Sequence, residues 1–145
     1  MSGQREGFYT MKGYQINENA DLTASMEDYL EMICRILQGN PSARVRVRDL
    51  ADNLHVRPSS VTKMIQHLTA SDYLSTEKYG YIRLTQKGLE TGRYLLYRHE
   101  VICRFLCLLN KSQDELEQAE KIEHFLNRET VHNLDLLAEK LSGEN

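Results

Sequence analysis

The sequence predicts a mainly α-helical fold in which a two-helix unit with a small β-hairpin precedes a longer helical half. Apolar residues recur at helical spacing through most of residues 26–141, and strand-like signals are confined to residues 73–84. The charge also divides along the chain. Residues 41–88 carry eight Lys or Arg against four acids, whereas residues 89–145 carry seven against eleven. A basic segment suits phosphate and an acidic one suits cations.

Residues 1–24, rich in Gly, Asn and Gln with scattered aromatics at Phe8, Tyr9 and Tyr14, read as an N-terminal extension. Thr23 or Ser25 can cap a first helix from about Met26, with Tyr29, Leu30, Ile33, Ile36 and Leu37 on one stripe and a stop at Gly39, Asn40 and Pro41. A short helix follows over Val47 to Leu54, then a turn at His55, Val56 and Arg57. Pro58 fits the first position of the next helix, whose buried stripe is Val61, Met64, Ile65 and Leu68. Two short helices joined by a tight turn make a helix-turn-helix, and the hairpin of Tyr73 to Leu84, turning at Gly80, would be its wing. From Thr85 a long helix runs for about six turns, with weak breaks expected at Gly88 and Gly92. Ser112 to about Leu126 and Glu129 to Leu141 give two further helices. The expected division is an extension over 1–24, a winged helix-turn-helix DNA-binding domain with a two-stranded wing over 25–87, and an α-helical metal-binding and dimerisation domain over 88–145.

With 145 residues, 41% of them hydrophobic, the chain can form one core or a small domain with a dimerisation arm. It has no apolar run long enough to span a membrane and no export signal, so a cytoplasmic protein is expected. Cys34, Cys103 and Cys107 are an odd number in such a chain and do not suggest a disulfide framework. No nucleophile triad, phosphate loop or dinucleotide fingerprint is present, and no enzyme is expected.

The helix beginning at Pro58 exposes Ser59, Ser60 and Thr62 between Arg57 and Lys63, offering hydroxyl and cationic donors where a major-groove helix needs them. Arg57 and Lys63 would grip phosphate, while Ser60, Thr62 and Gln66 could reach base edges. Lys78, Tyr79 and Arg83 on the wing could touch the adjacent backbone. A protein-interaction module whose serines only cap and solvate the helix is the bland alternative.

Glu120, Glu123 and His124 stand at i, i+3 and i+4 and can converge from one helical face. Asp28 and Glu31 form a second matched pair, and His99 offers a third arm. Six such side chains exceed the needs of one ion, so a two-metal site with bridging carboxylates is in reach, and hard oxygen donors favour Mn(II) or Fe(II). Residue types alone leave open a solvated helix face with hydrogen-bonded histidines. His99, Cys103 and Cys107, four apart, could bind Zn(II), yet their apolar neighbours point to packing. A di-iron enzyme wants a pair of Glu-x-x-His motifs and a zinc protease wants His-Glu-x-x-His; the chain supplies neither.

Five blocks then fall in series: Ser25-Met-Glu-Asp-Tyr-Leu-Glu31, Val56-Arg-Pro-Ser-Ser-Val-Thr-Lys-Met64, Leu84-Thr-Gln-Lys-Gly88, Tyr97-Arg-His-Glu100 and Glu120-Lys-Ile-Glu-His124. Together they resemble the diphtheria-toxin-repressor family of metalloregulators, and specifically its manganese transport regulator branch. The resemblance covers residues 25 to about 141 in order. It implies that Asp28, Glu31, His99, Glu120, Glu123 and His124 bind a pair of metal ions per subunit, with Mn(II) preferred and Fe(II), Co(II) or Zn(II) as other candidates. Iron-responsive relatives carry methionine where this chain has Asp28. The resemblance further implies a homodimer that binds a palindromic operator when metal-loaded and represses metal-uptake genes. Larger members add a C-terminal barrel, which is not expected here. The rival is a metal-storage protein or di-metal enzyme whose winged helix is only an interaction surface.

Overall fold

The computed structural model describes residues 22–40 and 42–143, so the extension expected at 1–24 lies almost wholly outside the described residues. Helix α1 (Ala24–Gly39) starts where Thr23 Oγ1 accepts from Met26 N at 3.2 Å, which satisfies one of the amides a helix start leaves unpaired. It buries Met26, Tyr29, Leu30, Ile33 and Cys34, together with the carboxylate of Glu27. Helix α2 (Val47–Leu54) ends at His55 in the left-handed conformation. Helix α3 (Pro58–Ala70) begins on its proline and buries Val61, Ile65 and Leu68. Strands β1 (Leu74–Thr76) and β2 (Ile82–Leu84) pair antiparallel with Leu74 opposite Leu84 and Thr76 opposite Ile82. Their turn carries Tyr79 at φ 69° and Gly80 at φ 79°, and Val45 bridges to Ile82 on the far side of the wing.

Helix α4 (Gln86–Asn110) is unbroken, in contrast to the weak breaks expected at Gly88 and Gly92. Both glycines sit where the helix touches another segment. A Cβ on Gly88 would lie 1.9 Å from the Tyr73 carbonyl oxygen, and one on Gly92 would lie 2.9 Å from Cys34 Cβ. Helix propensity at these two positions yields to close approach. Helix α5 (Leu116–Ile122) is shorter than expected and tightens into a 3₁₀ turn at Glu123–Phe125, after which α6 (Arg128–Gly143) closes the chain. One core cluster joins α1, α2, α3, the wing and Leu95 of α4, and a second gathers Ile102, Leu106 and Ala119. Helix α4, about 37 Å long, is the beam common to both. Helix α6 lies along it, with Arg104 Nη1 donating to Glu139 Oε1 at 2.7 Å and Tyr97 Oη to Asp135 Oδ2 at 2.5 Å.

Candidate metal centre and nucleic-acid face

Three segments meet at the inner side of α4. From α1 come Asp28 and Glu31, from α4 comes His99, and from the 3₁₀ turn come Glu123 and His124. Their donor atoms form two groups, Asp28 with Glu123 and His124, and Glu31 with His99 and Glu123, each compact enough to surround one cation. Glu123, 1% exposed, belongs to both. Its Oε2 lies 2.7 Å from His99 Nδ1 and its Oε1 lies 3.9 Å from His124 Nε2, which in turn is 3.0 Å from Asp28 Oδ1. Asp28 is the open side of the cluster, its side chain 52% exposed.

The electrostatics are those of a site with too many carboxylates. Burial and then the neighbouring Glu123 raise the Glu31 carboxyl above its ordinary range. The hydrogen bond to Glu123 raises His99. For His124, burial pulls the other way, but hydrogen bonds to Asp28 and Glu27 prevail and push it up to about 9. All three shifts run in the direction of the protonated form, as an excess of neighbouring carboxylate charge requires. Glu31 Oε1 is buried without a hydrogen-bond partner, and Arg35 Nη2 stands 3.9 Å away, too far to donate. A divalent cation answers both the orphaned oxygen and the excess negative charge, so the residues present fit one. Oxygen and imidazole donors without thiolate suit hard and borderline divalent cations rather than soft ones.

Five of the six residues expected to bind metal are therefore brought together. Glu120 stands outside both groups, exposed on α5. The reason is local: the shared helical face assumed for Glu120, Glu123 and His124 ends at Ile122, where the chain tightens into the 3₁₀ turn. Glu120 is still near enough for its charge to help raise the Cys103 thiol, after burial, Glu123 and Cys107. Cys34, Cys103 and Cys107 are free thiols, and among the described residues no metal-competent group contains one. Cys103 Sγ lies 3.5 Å from His99 Nε2, on the ring edge facing away from Glu123.

Two residues at this site escaped the sequence reading. Arg98 and Glu27, 3% and 5% exposed, form a buried ion pair between α4 and α1. The signal was present: Arg98 occupies the step between Leu95 and Ile102 on an otherwise apolar stripe, and Glu27 shares the face of Leu30 and Cys34.

On the winged unit, Arg57, Ser59, Ser60, Thr62, Lys63 and Gln66 are all exposed at and along α3, and Lys78 is exposed at the wing turn. Thr62 Oγ1 donates to Pro58 O at 3.1 Å, which leaves its lone pairs outward. A second basic cluster was missed. Arg46 Nη2 donates to Tyr81 Oη at 2.9 Å, and the Arg46 and Arg44 guanidinium carbons lie 4.4 and 5.4 Å from the Tyr81 ring centroid. With Arg48 they line one surface recess at the start of α2. The alternation Arg44, Arg46, Arg48 was its signature, with Arg44 and Arg46 flanking the bridge residue Val45.

A winged helix with a basic outer face, joined by one long helix to a carboxylate–imidazole cluster, defines a metal-responsive DNA-binding regulator. The comparisons with known proteins agree. The family model "Iron dependent repressor, N-terminal DNA binding domain" matches residues 21–82, and "Iron dependent repressor, metal binding and dimerisation domain" matches residues 85–143. The chain belongs to the iron-dependent repressor family. It is similar to the HTH-type transcriptional regulator MntR of Geobacillus kaustophilus (strain HTA426), 42% identical over 113 residues that cover 77% of this chain and 79% of the relative. Among solved structures it resembles the manganese regulator SloR (TM-score 0.70, 26% identity, 81% of this chain and 55% of that one). It also resembles ScaR with bound Zn2+ (TM-score 0.65, 29% identity, 79% and 53%). The chain thus spans about half the length of these two solved proteins. As a family member it is a transcriptional repressor and not an enzyme, with DNA and a second copy of itself as partners. The storage or di-metal enzyme alternative is not favoured. Among the described residues no helix is long and apolar enough to cross a membrane.

Proposed function

We propose that the protein is a cytoplasmic Mn(II)-responsive repressor that binds a palindromic operator as a homodimer when two ions per subunit are loaded. The observation that carries this reading is Glu123, buried between two donor groups that share no other residue. The hard donor set supports Mn(II), as do the names of the MntR and SloR relatives. Fe(II), Co(II) and Zn(II) are the competing ions, and selectivity must come from geometry because Mn(II) is intrinsically the weakest binder of the series. Glu120 would close the site from its exposed edge.

Bound there, the cation would supply the positive charge that the clustered carboxylates lack. The chain's own residues do the rest. Asp28 and Glu31 belong to α1, which packs on α2 and α3 of the winged unit, whereas His99, Glu123 and His124 belong to the helical half beyond residue 87. Drawing the two sets together fixes α1 against α4 and narrows the range of separations between the two recognition helices of a dimer. That favours the spacing of half-sites one DNA turn apart. A coupling of about 1 to 3 kcal/mol is enough for such a switch. At the DNA, Arg57, Lys63 and Lys78 would contact phosphate and Ser59, Ser60, Thr62 and Gln66 the groove, with the Arg44–Arg46–Arg48 cluster extending the phosphate contacts.

The test is operator affinity by fluorescence anisotropy, with Mn(II) and with chelator, using palindromes upstream of metal-uptake genes and random DNA as control. Mn(II) is expected to tighten operator binding by roughly 5- to 150-fold and to leave random DNA nearly unchanged. Equal operator affinity in both conditions would contradict the reading. The dimer rests on apolar side chains left exposed on the helical half, Leu109 on α4 and Leu136 and Leu137 on α6 among them. Leu136→Glu with Leu137→Glu is expected to shift the sedimentation coefficient to that of a monomer at micromolar concentration, whereas an unchanged dimer would place the interface elsewhere.

A further inference from the structure

We propose that Glu27, held by Arg98, is a positioning residue that presents His124 to the cation. The inference rests on the reading that Asp28, Glu123 and His124 hold one ion. His124 Nδ1 faces Glu27 Oε1 at 2.9 Å, on the ring edge opposite Nε2, and Arg98 Nη2 stands farther from the same nitrogen, at 3.4 Å; an ionised carboxylate can only accept, so the shorter contact calls for a proton on Nδ1. Nε2 faces Asp28 Oδ1 at 3.0 Å and Glu123 Oε1 at 3.9 Å, the two carboxylates that complete its group. A neutral imidazole carries one N–H, and whichever nitrogen keeps it is lost as a ligand. The Glu27 carboxylate keeps that proton on Nδ1 and so directs the Nε2 lone pair toward the acids.

Glu27 is itself closer to His124 than Asp28 is, yet it is not free to act as a ligand. Arg98 Nη2 donates to its Oε1 at 3.2 Å and Arg98 Nη1 to its Oε2 at 3.3 Å, so both oxygens are engaged from α4. Both residues are almost wholly buried, and Arg98 Nε has no partner at all. A buried ion pair is a weak device for stability, because apolar residues of similar volume usually serve as well. Its place at the back of a histidine points to orientation. Adjacent residues of α4 then serve the two groups in different ways: His99 offers a ring nitrogen directly to one, and Arg98 acts on the other by holding Glu27 behind His124, with its own Nη2 3.4 Å from His124 Nδ1.

The variant-free test is the 15N chemical shifts of the His124 imidazole in protein loaded with Zn(II), a diamagnetic probe. Nδ1 protonated and Nε2 metal-bound is expected; the reverse assignment overturns the proposal. Calorimetric titration with Mn(II) then compares Glu27→Gln and Arg98→Lys with His124→Ala. Glu27→Gln keeps the shape and loses the charge, and one of the two ions should bind about 10- to 100-fold more weakly while the other is unchanged. Arg98→Lys, which can engage only one Glu27 oxygen at a time, should weaken the same ion by less. A merely structural role would lower the melting temperature and move neither the shifts nor the ratio of the two affinities. If His124→Ala loses one ion while Glu27→Gln binds both at the wild-type Kd, the positioning role is wrong and the site reading stands. If His124→Ala binds both ions normally, the site reading fails and the positioning role with it.

Discussion

Replacing Glu123 by Ala is expected to abolish metal-activated operator binding altogether, returning the protein with Mn(II) to the affinity it has with chelator. Among the described residues no other belongs to both donor groups, so this one substitution removes a ligand from each. Asp28→Ala or Glu31→Ala should impair one ion and leave a partial response. The apo fold should survive the change. His99 Nδ1 loses its partner at 2.7 Å, but Glu31 loses the nearby carboxylate that helps raise its pKa, so the like-charge cost falls as the hydrogen bond goes. The DNA face on α3 lies on another element and is untouched, so the weak, salt-sensitive binding of the apo protein should persist. What disappears is the coupling increment, about 1 to 3 kcal/mol. Calorimetric stoichiometry and operator anisotropy on the same preparation decide it: two ions per subunit falling to none, and the Mn(II) and chelator curves superimposing. Retention of full Mn(II) activation would show that the cluster around Glu123 is not the sensor.

The parts of this architecture that were legible in the sequence are those governed by local rules. Thr23, Pro58 and Thr85 mark helix starts because each solves the unpaired-amide problem from within a few residues. The helix-turn-helix and its wing follow from periodicity and from Gly80 at positive φ. Asp28, Glu31, His99, Glu123 and His124 could be nominated because ligand chemistry restricts residue type, and family resemblance ordered them. Less legible were features decided by contacts distant in sequence. The 3₁₀ turn that separates Glu120 from Glu123 leaves no strong mark in composition. Glu27 and Arg98 interrupt apolar stripes, which is visible, but their pairing across 71 positions is a tertiary fact. The Arg44–Tyr81 cluster depends on a third segment joining the wing at Val45, and one bridge is too short to show as a strand pattern. The same distinction governs the glycines of α4, read as weak points of a helix and found to be its points of closest contact.

Gly88→Ala is accordingly expected to destabilise the protein by several kcal/mol, although helix propensity alone would have it stabilise by about 1 kcal/mol. The added Cβ would sit 1.9 Å from Tyr73 O and 3.0 Å from Tyr73 C, backbone atoms that cannot rotate aside. That carbonyl also accepts from Thr85 N at 3.1 Å, and Thr85 Oγ1 donates to Asp72 O at 2.6 Å, so the first turn of α4 is bonded to the segment it would have to leave. Relief requires the helix to lift off the wing, breaking those bonds and loosening the contact of Leu84 and Leu74 with the core. Overpacking in a closed site typically costs 1 to 3 kcal/mol, and lost backbone hydrogen bonds add about 1 kcal/mol each; together they exceed the propensity gain. Gly39→Ala provides the control. It lies at the end of α1 with nothing within 4 Å of its would-be Cβ, so the same substitution there should be neutral or stabilise by a few tenths of a kcal/mol. Chemical denaturation of the two variants measures both effects in one experiment. A Gly88→Ala protein as stable as wild type would mean that α4 does not seat against the Tyr73 carbonyl, and that the wing is not fixed to the long helix through this close approach.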